Sequence, residues 1–259
     1  MKRLRFLSVL ICVIIAQMIP TKAMADDYEL GDLNHDGSVD VADVVSLINR
    51  VLSGHWSGEQ QDDHEWVDLG LPSGTLWATC NVGANAPEEY GDYFAWGETE
   101  PKDVYDWSTY KWCNGTYNTL TKYCTSSKYG TVDGKTELLP VDDAAYVNWG
   151  QSWRMPIKSQ CDELLANCIW TWTSINGVNG RLVTGPNGNT MFMPAAGCRS
   201  GNDFVDVNAL GEYWASTLAS GASIVACLFS FGSNGMNDVA LFNDRIYGRT
   251  VRAVRVSQN

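Results

Sequence analysis

The chain has 259 residues, 45% of them hydrophobic and 19% charged, with 11 tryptophans and a formal net charge of −12. Such a composition is globular and excludes a disordered or fibrous chain. The acidic balance argues against nucleic acid and anionic membrane surfaces as partners, and suits cations or a protein kept soluble outside a cell.

Residues 1–25 read as a signal peptide. Lys2, Arg3 and Arg5 give a positive start, Phe6 to Ile19 is almost wholly apolar, and Ala23-Met24-Ala25 matches a small-x-small cleavage site. The apolar run is short for a spanning helix. Cys12 lacks the small residues before it that a lipid-attachment site needs, since Val9-Leu10-Ile11 precede it. The expectation is export with cleavage before Asp26, a secreted or cell-surface location, and no membrane insertion afterwards. Cleavage removes Lys2, Arg3, Arg5 and Lys22 and no acid, so the formal charge becomes −12 − 4 = −16.

Residues 26–52 form the next unit. In GDLNHDGSVDVADVV, Asp32, Asn34, Asp36, Ser38, Asp40 and Asp43 occupy positions one, three, five, seven, nine and twelve of a tight loop. Calcium takes six to eight oxygens, and alternate residues of such a loop point inward together. Gly37 permits the sharp turn. Ser38 would contribute its main-chain carbonyl. Position twelve is Asp in place of the longer Glu. Behind the loop, Val41, Val44, Val45, Ile48, Val51 and Leu52 recur at helical spacing as one apolar stripe. The pattern predicts a calcium-binding, EF-hand-like loop-helix. A unit this small needs a neighbour, a second copy or a partner to bury its stripe.

Gly31-Asp32-Leu33-Asn34, Asp36-Gly37, Asp40 and Asp43, followed by Val44, Leu47 and Ile48, resemble a type I dockerin repeat. Dockerins usually carry two repeats and bind a cohesin. A single repeat stands here, so the resemblance implies calcium and a cohesin-like or other surface partner across half the usual interface.

Residues 53–64 (SGHWSGEQQDDH) are polar and read as a linker. From residue 65 to 259 the chain is rich in Trp and Tyr, with recurring pairs Asn114-Gly115, Asn176-Gly177, Asn179-Gly180, Asn187-Gly188 and Asn234-Gly235. Such pairs suit tight turns with positive φ. Arg181 to Thr184 and Thr190 to Met193 read as a hairpin, and Tyr213 to Ser216, Ile224 to Phe231 and Arg249 to Val256 as strands. In SQCDELLANC, Cys161, Leu164, Leu165 and Cys168 share a helical face, with Ser159 and Asp162 as a capping box. Short strands with one or two helices give an α+β domain.

The segments Trp66 to Gly74, Leu76 to Ala84 and Tyr90 to Glu98 resemble the Fibrobacter succinogenes major paralogous domain family. So do Arg154-Met155-Pro156, Trp170-Thr171-Trp172, Gly177 through Gly188, Pro194 to Gly197, Tyr213 to Ser216, and Tyr247-Gly248 with Val251-Arg252. The resemblance spans most of residues 65–255 and implies export and a C-type-lectin-like fold. Where that family has a hydroxyl N-cap after Met-Pro, this chain has Ile157, so the helix is expected to begin at Ser159.

Trp107, Tyr110, Trp112, Tyr117 and Tyr123 lie in a polar, Gly/Ser/Thr-rich stretch where a loop-borne glycan site would sit. Their competing role is core packing, the role expected of Trp77, Trp96, Trp172 and Trp214. The calcium-lectin motifs Glu-Pro-Asn, Gln-Pro-Asp and Trp-Asn-Asp are absent. Seven cysteines follow the signal, at 80, 113, 124, 161, 168, 198 and 227, and an odd count leaves one thiol unpaired. Cys161 and Cys168 lie about 10.5 Å apart along a helix, too far to bridge. Cys113 and Cys124 flank an Asn-Gly segment and are near enough in sequence to pair, with connectivity left open. Cys198 and Cys227 do not form the close redox pair of formylglycine-generating relatives. The many carboxylates, among them Glu98, Asp142 and Asp143, read as an acidic solvated surface. The leading expectation is a non-catalytic binding or adaptor protein for a glycan or a protein. The rival is a polysaccharide-degrading O-glycosyl hydrolase, or its accessory, recruited through the dockerin-like unit.

Overall fold

The structure is a computed structural model that describes residues 64–256 and the single positions Val39, Val41 and Val44. The chain divides into two units, Met1–Arg50 and Val51–Asn259. The signal segment, the loop residues Asp32, Asn34, Asp36, Ser38, Asp40 and Asp43, and the linker up to residue 63 lie outside the described residues. Val41 and Val44 have helical backbone, and their side chains are exposed.

Among the described residues the second unit is α+β, with short helices against four small sheets. Strands β1 (Trp66–Asp68) and β2 (Thr75–Ala78) are followed by a long irregular stretch over residues 79–139. A 3-10 turn (Pro140–Asp142) leads into helix α1 (Ala144–Trp149), and helix α2 spans Lys158–Asn167. The remaining strands are β3 (Ile169–Ile175), β4 (Val178–Thr184), β5 (Thr190–Pro194), β6 (Cys198–Ser200), β7 (Asp203–Val205), β8 (Leu210–Leu218), β9 (Val225–Gly232), β10 (Gly235–Asp244) and β11 (Val254–Val256). The sheets run β1-β2-β11, β3-β4-β5, β6-β7 and β8-β9-β10. Trp77 in β2 lies opposite Val67 of β1 on one side and Val254 of β11 on the other, so β2 stands between the first and last described strands. No helix among the described residues is long and apolar enough to cross a membrane.

The predicted strand at 213–216 falls inside β8, and the one at 224–231 matches β9 offset by one residue. Their apolar runs are nearly continuous because both faces are covered. Tyr213, Ala215, Cys227, Phe229 and Phe231 enter one core with Trp77, Leu164 and Met193. The alternate residues Trp214, Leu218, Ala226 and Leu228 enter a second, with Phe94, Trp96, Trp149 and Trp153. A period of two with two buried faces gives this pattern. Trp77, Trp96 and Trp214 are buried as expected, while Trp172 is half-buried against the first core.

The hairpin of β4 and β5 pairs from Gly180 with Pro194 to Thr184 with Thr190, as the sequence predicts. The β3–β4 turn is Asn176-Gly177, with φ of 50° and 84° at the two residues, the mirror-image turn that Asn-Gly favours. Asn179-Gly180, by contrast, lies within β4. Gly180 is there because a Cβ would stand 2.3 Å from the carbonyl oxygen of Met193.

Helix α2 sends Cys161 and Leu164 into the first core, with Leu165 and Cys168 at its margin. It starts at Lys158, one residue before the expected Ser159. The cap comes from elsewhere in the chain. Lys158 N–H donates to Thr217 Oγ1 of β8 at 2.9 Å, and Ile157 N–H donates to Gln160 Oε1 at 3.0 Å. A borrowed hydroxyl thus replaces the missing one at position 157.

All seven described cysteines are free. Cys113 Sγ donates to Trp107 O and Cys124 Sγ to Ser126 O, each at 3.1 Å. Burial pushes the Cys161 thiol well above its ordinary range, Cys227 up to about 11 and Cys198 up to about 12. Thiolate is the reactive form, so these thiols should resist alkylation. With iodoacetamide at neutral pH, Cys161, Cys198 and Cys227 are expected to stay unlabelled in the native chain. All seven should label after unfolding without reductant. Mass spectrometry that finds two of them still blocked would show a disulfide and overturn this arrangement.

Candidate binding surface

The irregular stretch from residue 79 to 139 has little sheet or helix of its own. Its main-chain groups pair through turns within it, as Leu120 N–H with Tyr129 O and Thr131 N–H with Leu120 O, and with partners from outside. Two buried arginines are among those outside partners. Arg245 is fully buried and donates to Tyr110 Oη at 2.6 Å. Its other donors reach the carbonyls of Lys122, Tyr123 and Ser223, each at 2.9 Å. Arg252, also fully buried, donates to Asn81 Oδ1 at 2.9 Å and to the carbonyls of Ala78, Thr79 and Phe192. Burial lowers the pKa of Arg252. A planar guanidinium is suited to this work because its five donors are fixed in one fork.

On this frame the five predicted rings separate. Tyr110 and Tyr123 lie under the surface, 2% and 0% exposed, so neither ring offers a face to a sugar. Burial raises both phenol pKa values. Trp107 and Trp112 are half-buried, and Tyr117 is 51% exposed. Trp107 meets Tyr110 edge-on at 5.9 Å between centroids. Trp112 Nε1 donates to Gly97 O at 2.6 Å, which fixes the plane of the indole. The structure therefore brings Trp107, Tyr110, Trp112 and Tyr123 into one packed group, with Tyr117 standing out on the turn at 114–119.

Three lysines complete the group, and the sequence reading missed them. Lys111 and Lys122 place their ammonium groups 4.5 and 4.6 Å from the Trp112 ring centroid. Lys102 pairs with Glu98 at 2.9 Å, and Glu98 also accepts the Lys111 N–H at 2.8 Å. Lys122 pairs with Asp142 at 2.7 Å, and Asp142 also accepts the Tyr123 hydroxyl. The spacing of Lys102, Lys111 and Lys122 among Trp and Tyr was a readable signal for cation–aromatic contacts. Glu98, Asp142 and Asp143 are buried, so the reading of these three as solvated surface acids is corrected. Asp143 caps α1, accepting from Ala145 and Tyr146 through one oxygen and from Met155 through the other.

Tyr123 has φ of 56°, in the left-handed region that a bulky side chain rarely enters. It is held there at both ends, its carbonyl by Arg245 and its hydroxyl by Asp142. The strain therefore sits directly beneath Trp112 and Lys122. Chemically, the surface offers aromatic edges and faces, ammonium donors and the hydroxyl of an exposed tyrosine. That set can stack on the C–H face of a sugar and donate hydrogen bonds to its oxygens.

Among the described residues no group of three or more His, Cys, Asp or Glu side chains is placed to hold a metal ion. No protein-family model, curated protein or solved structure matches the chain.

Proposed function

We propose that this chain is a secreted or cell-surface, non-catalytic binding protein. Residues 26–52 act as a calcium-stabilised, dockerin-like attachment unit. The domain from residue 65 onward is C-type-lectin-like, of the Fibrobacter succinogenes major paralogous type, and recognises a glycan through Trp107, Trp112 and Tyr117 with Lys111 and Lys122. The observation that carries the ligand reading is the clasped Trp112. Its ring is fixed by Gly97 and flanked by two ammonium groups on a segment with strained backbone. The oxygen spacing from Asp32 to Asp43 supports the calcium reading. Position twelve, an Asp, would reach less far toward the ion than Glu.

A glycan array probed with the full chain, with and without a chelator, tests both halves. Retention of a glycan class is expected, weakened at least about tenfold by Tyr117→Ala, a loss of about 1.4 kcal/mol. Tyr117 is 51% exposed, so this variant should fold as the parent does. Calcium titration calorimetry should give heat that disappears in Asp36→Ala. A chain that retains no glycan, or that releases reducing ends from one, would overturn the binding reading. Absence of calcium heat would overturn the attachment reading alone.

A further inference from the structure

Strand β3 lies at the edge of its sheet, with β4 as its one neighbour among the described residues. The β3–β4 ladder is unbroken from Ile169 with Thr184 to Ile175 with Val178. The direction of its free groups follows from the other side of β4. Ala195 N–H donates to Asn179 O, so Asn179, Arg181 and Val183 turn their main-chain groups toward β5. Val178, Gly180, Leu182 and Thr184 therefore turn theirs toward β3, where they meet Ile175, Thr173, Thr171 and Ile169. The main-chain groups of Trp170, Trp172 and Ser174 must point outward. The Trp170 carbonyl accepts one bond from Arg181 Nη1 at 2.9 Å. The other outward groups meet no partner among the described residues.

Native proteins guard such an edge with a charge, a proline, a bulge or a short strand. β3 has seven residues, no charge, no proline and no register shift, in a chain that is otherwise strongly acidic. Ile169 is 70% exposed, and Thr171 and Thr173 are exposed on the same outer face. The order Ile-Trp-Thr-Trp-Thr-Ser-Ile reads almost alike in both directions about Trp172. An antiparallel partner with the same sequence would set Thr against Thr and Ile against Ile.

We propose that β3 is a docking edge for a second copy of this chain. The two β3 strands pair antiparallel about a twofold axis at Trp172 and join two three-stranded sheets into one of six strands. Trp172 exchanges both main-chain hydrogen bonds with the partner's Trp172, and Trp170 and Ser174 do so with the partner's Ser174 and Trp170. On the outer face Ile169 covers the partner's Ile175, and Thr171 faces the partner's Thr173. The contact is isologous and closes on itself, so it gives a dimer and not a fibre.

Sedimentation velocity of the full chain across a wide concentration series tests this. The wild type should approach twice the monomer mass. Two charged versions place like charges face to face across the seam: Thr171→Lys with Thr173→Lys, and Thr171→Glu with Thr173→Glu. Each alone should halve the mass, with an unchanged near-ultraviolet circular dichroism spectrum, because both positions are exposed in the monomer. An equimolar mixture of the two should restore the dimer. A wild type that stays monomeric throughout would overturn the proposal. So would a charged version that remains dimeric, or a mixture that does not recombine.

Discussion

Replacement of Arg252 by Met is expected to cost the domain about 4 kcal/mol or more, measured as the loss of unfolding free energy in urea. The methionine fills much of the volume, so the loss reports the donors and not a cavity. Four acceptors are left without them: Asn81 Oδ1 and the carbonyls of Ala78, Thr79 and Phe192. Asn81, Ala78 and Phe192 are buried, so water cannot readily substitute. An unsatisfied buried acceptor costs about 1–3 kcal/mol. A domain of ordinary stability has roughly 5–15 kcal/mol to lose, so the change is a large fraction of the whole. Arg252→Lys keeps the charge but loses the fork and should recover only a minor part of the loss. A Met variant within about 1 kcal/mol of wild type would show that those carbonyls are satisfied in some other way.

Gly197→Ala is expected to be among the most damaging changes of a single methyl group. Gly197 has φ of 62°, a region that costs an alanine about 1–2 kcal/mol. The added Cβ would also stand 2.1 Å from Val205 O and 2.7 Å from Val207 N. Both are main-chain atoms, so relief requires moving the β6–β7 hairpin. Overpacking of this kind adds about 1–3 kcal/mol, for a total of roughly 3 kcal/mol or more. Gly115→Ala is the control. Its φ is 85°, but nothing lies within 4 Å of the added atom, so only the conformational part remains. Urea midpoints for the two variants should therefore separate clearly. Equal losses would show that the hairpin yields freely and that the close approach has little weight.

The parts of the fold that the sequence made readable are those whose order is local. The hairpin at residues 181–193 announces itself by alternation around Gly-Pro-Asn-Gly-Asn. The buried face of α2 follows from Cys161, Leu164 and Leu165 at helical spacing. β8 and β9 were readable because both faces are apolar. Helix α1 was not foreseen. Ala144 to Trp149 is too short to show a period, and its cap, Asp143, stands beside a second acid that hides it. The irregular stretch was unreadable for another reason. Part of what orders it is Arg245 and Arg252, each more than a hundred residues away along the chain. The same distance explains the candidate surface. Trp107, Tyr110, Trp112, Tyr117 and Tyr123 look equivalent in the sequence. Arg245 decides that Tyr110 and Tyr123 go under, while Trp112 and Tyr117 remain at the surface.

The way Arg245, Arg252 and Arg199 grip this stretch has an evolutionary consequence. Of the six bonds they make to residues 79–139, four end on main-chain carbonyls, which every amino acid possesses. Most of this fastening is therefore blind to side-chain identity. Residues between 98 and 139 whose side chains face outward can be exchanged without loosening the framework beneath them. A gene that duplicates can in this way keep one skeleton and acquire new specificities by substitution in a single contiguous stretch of codons.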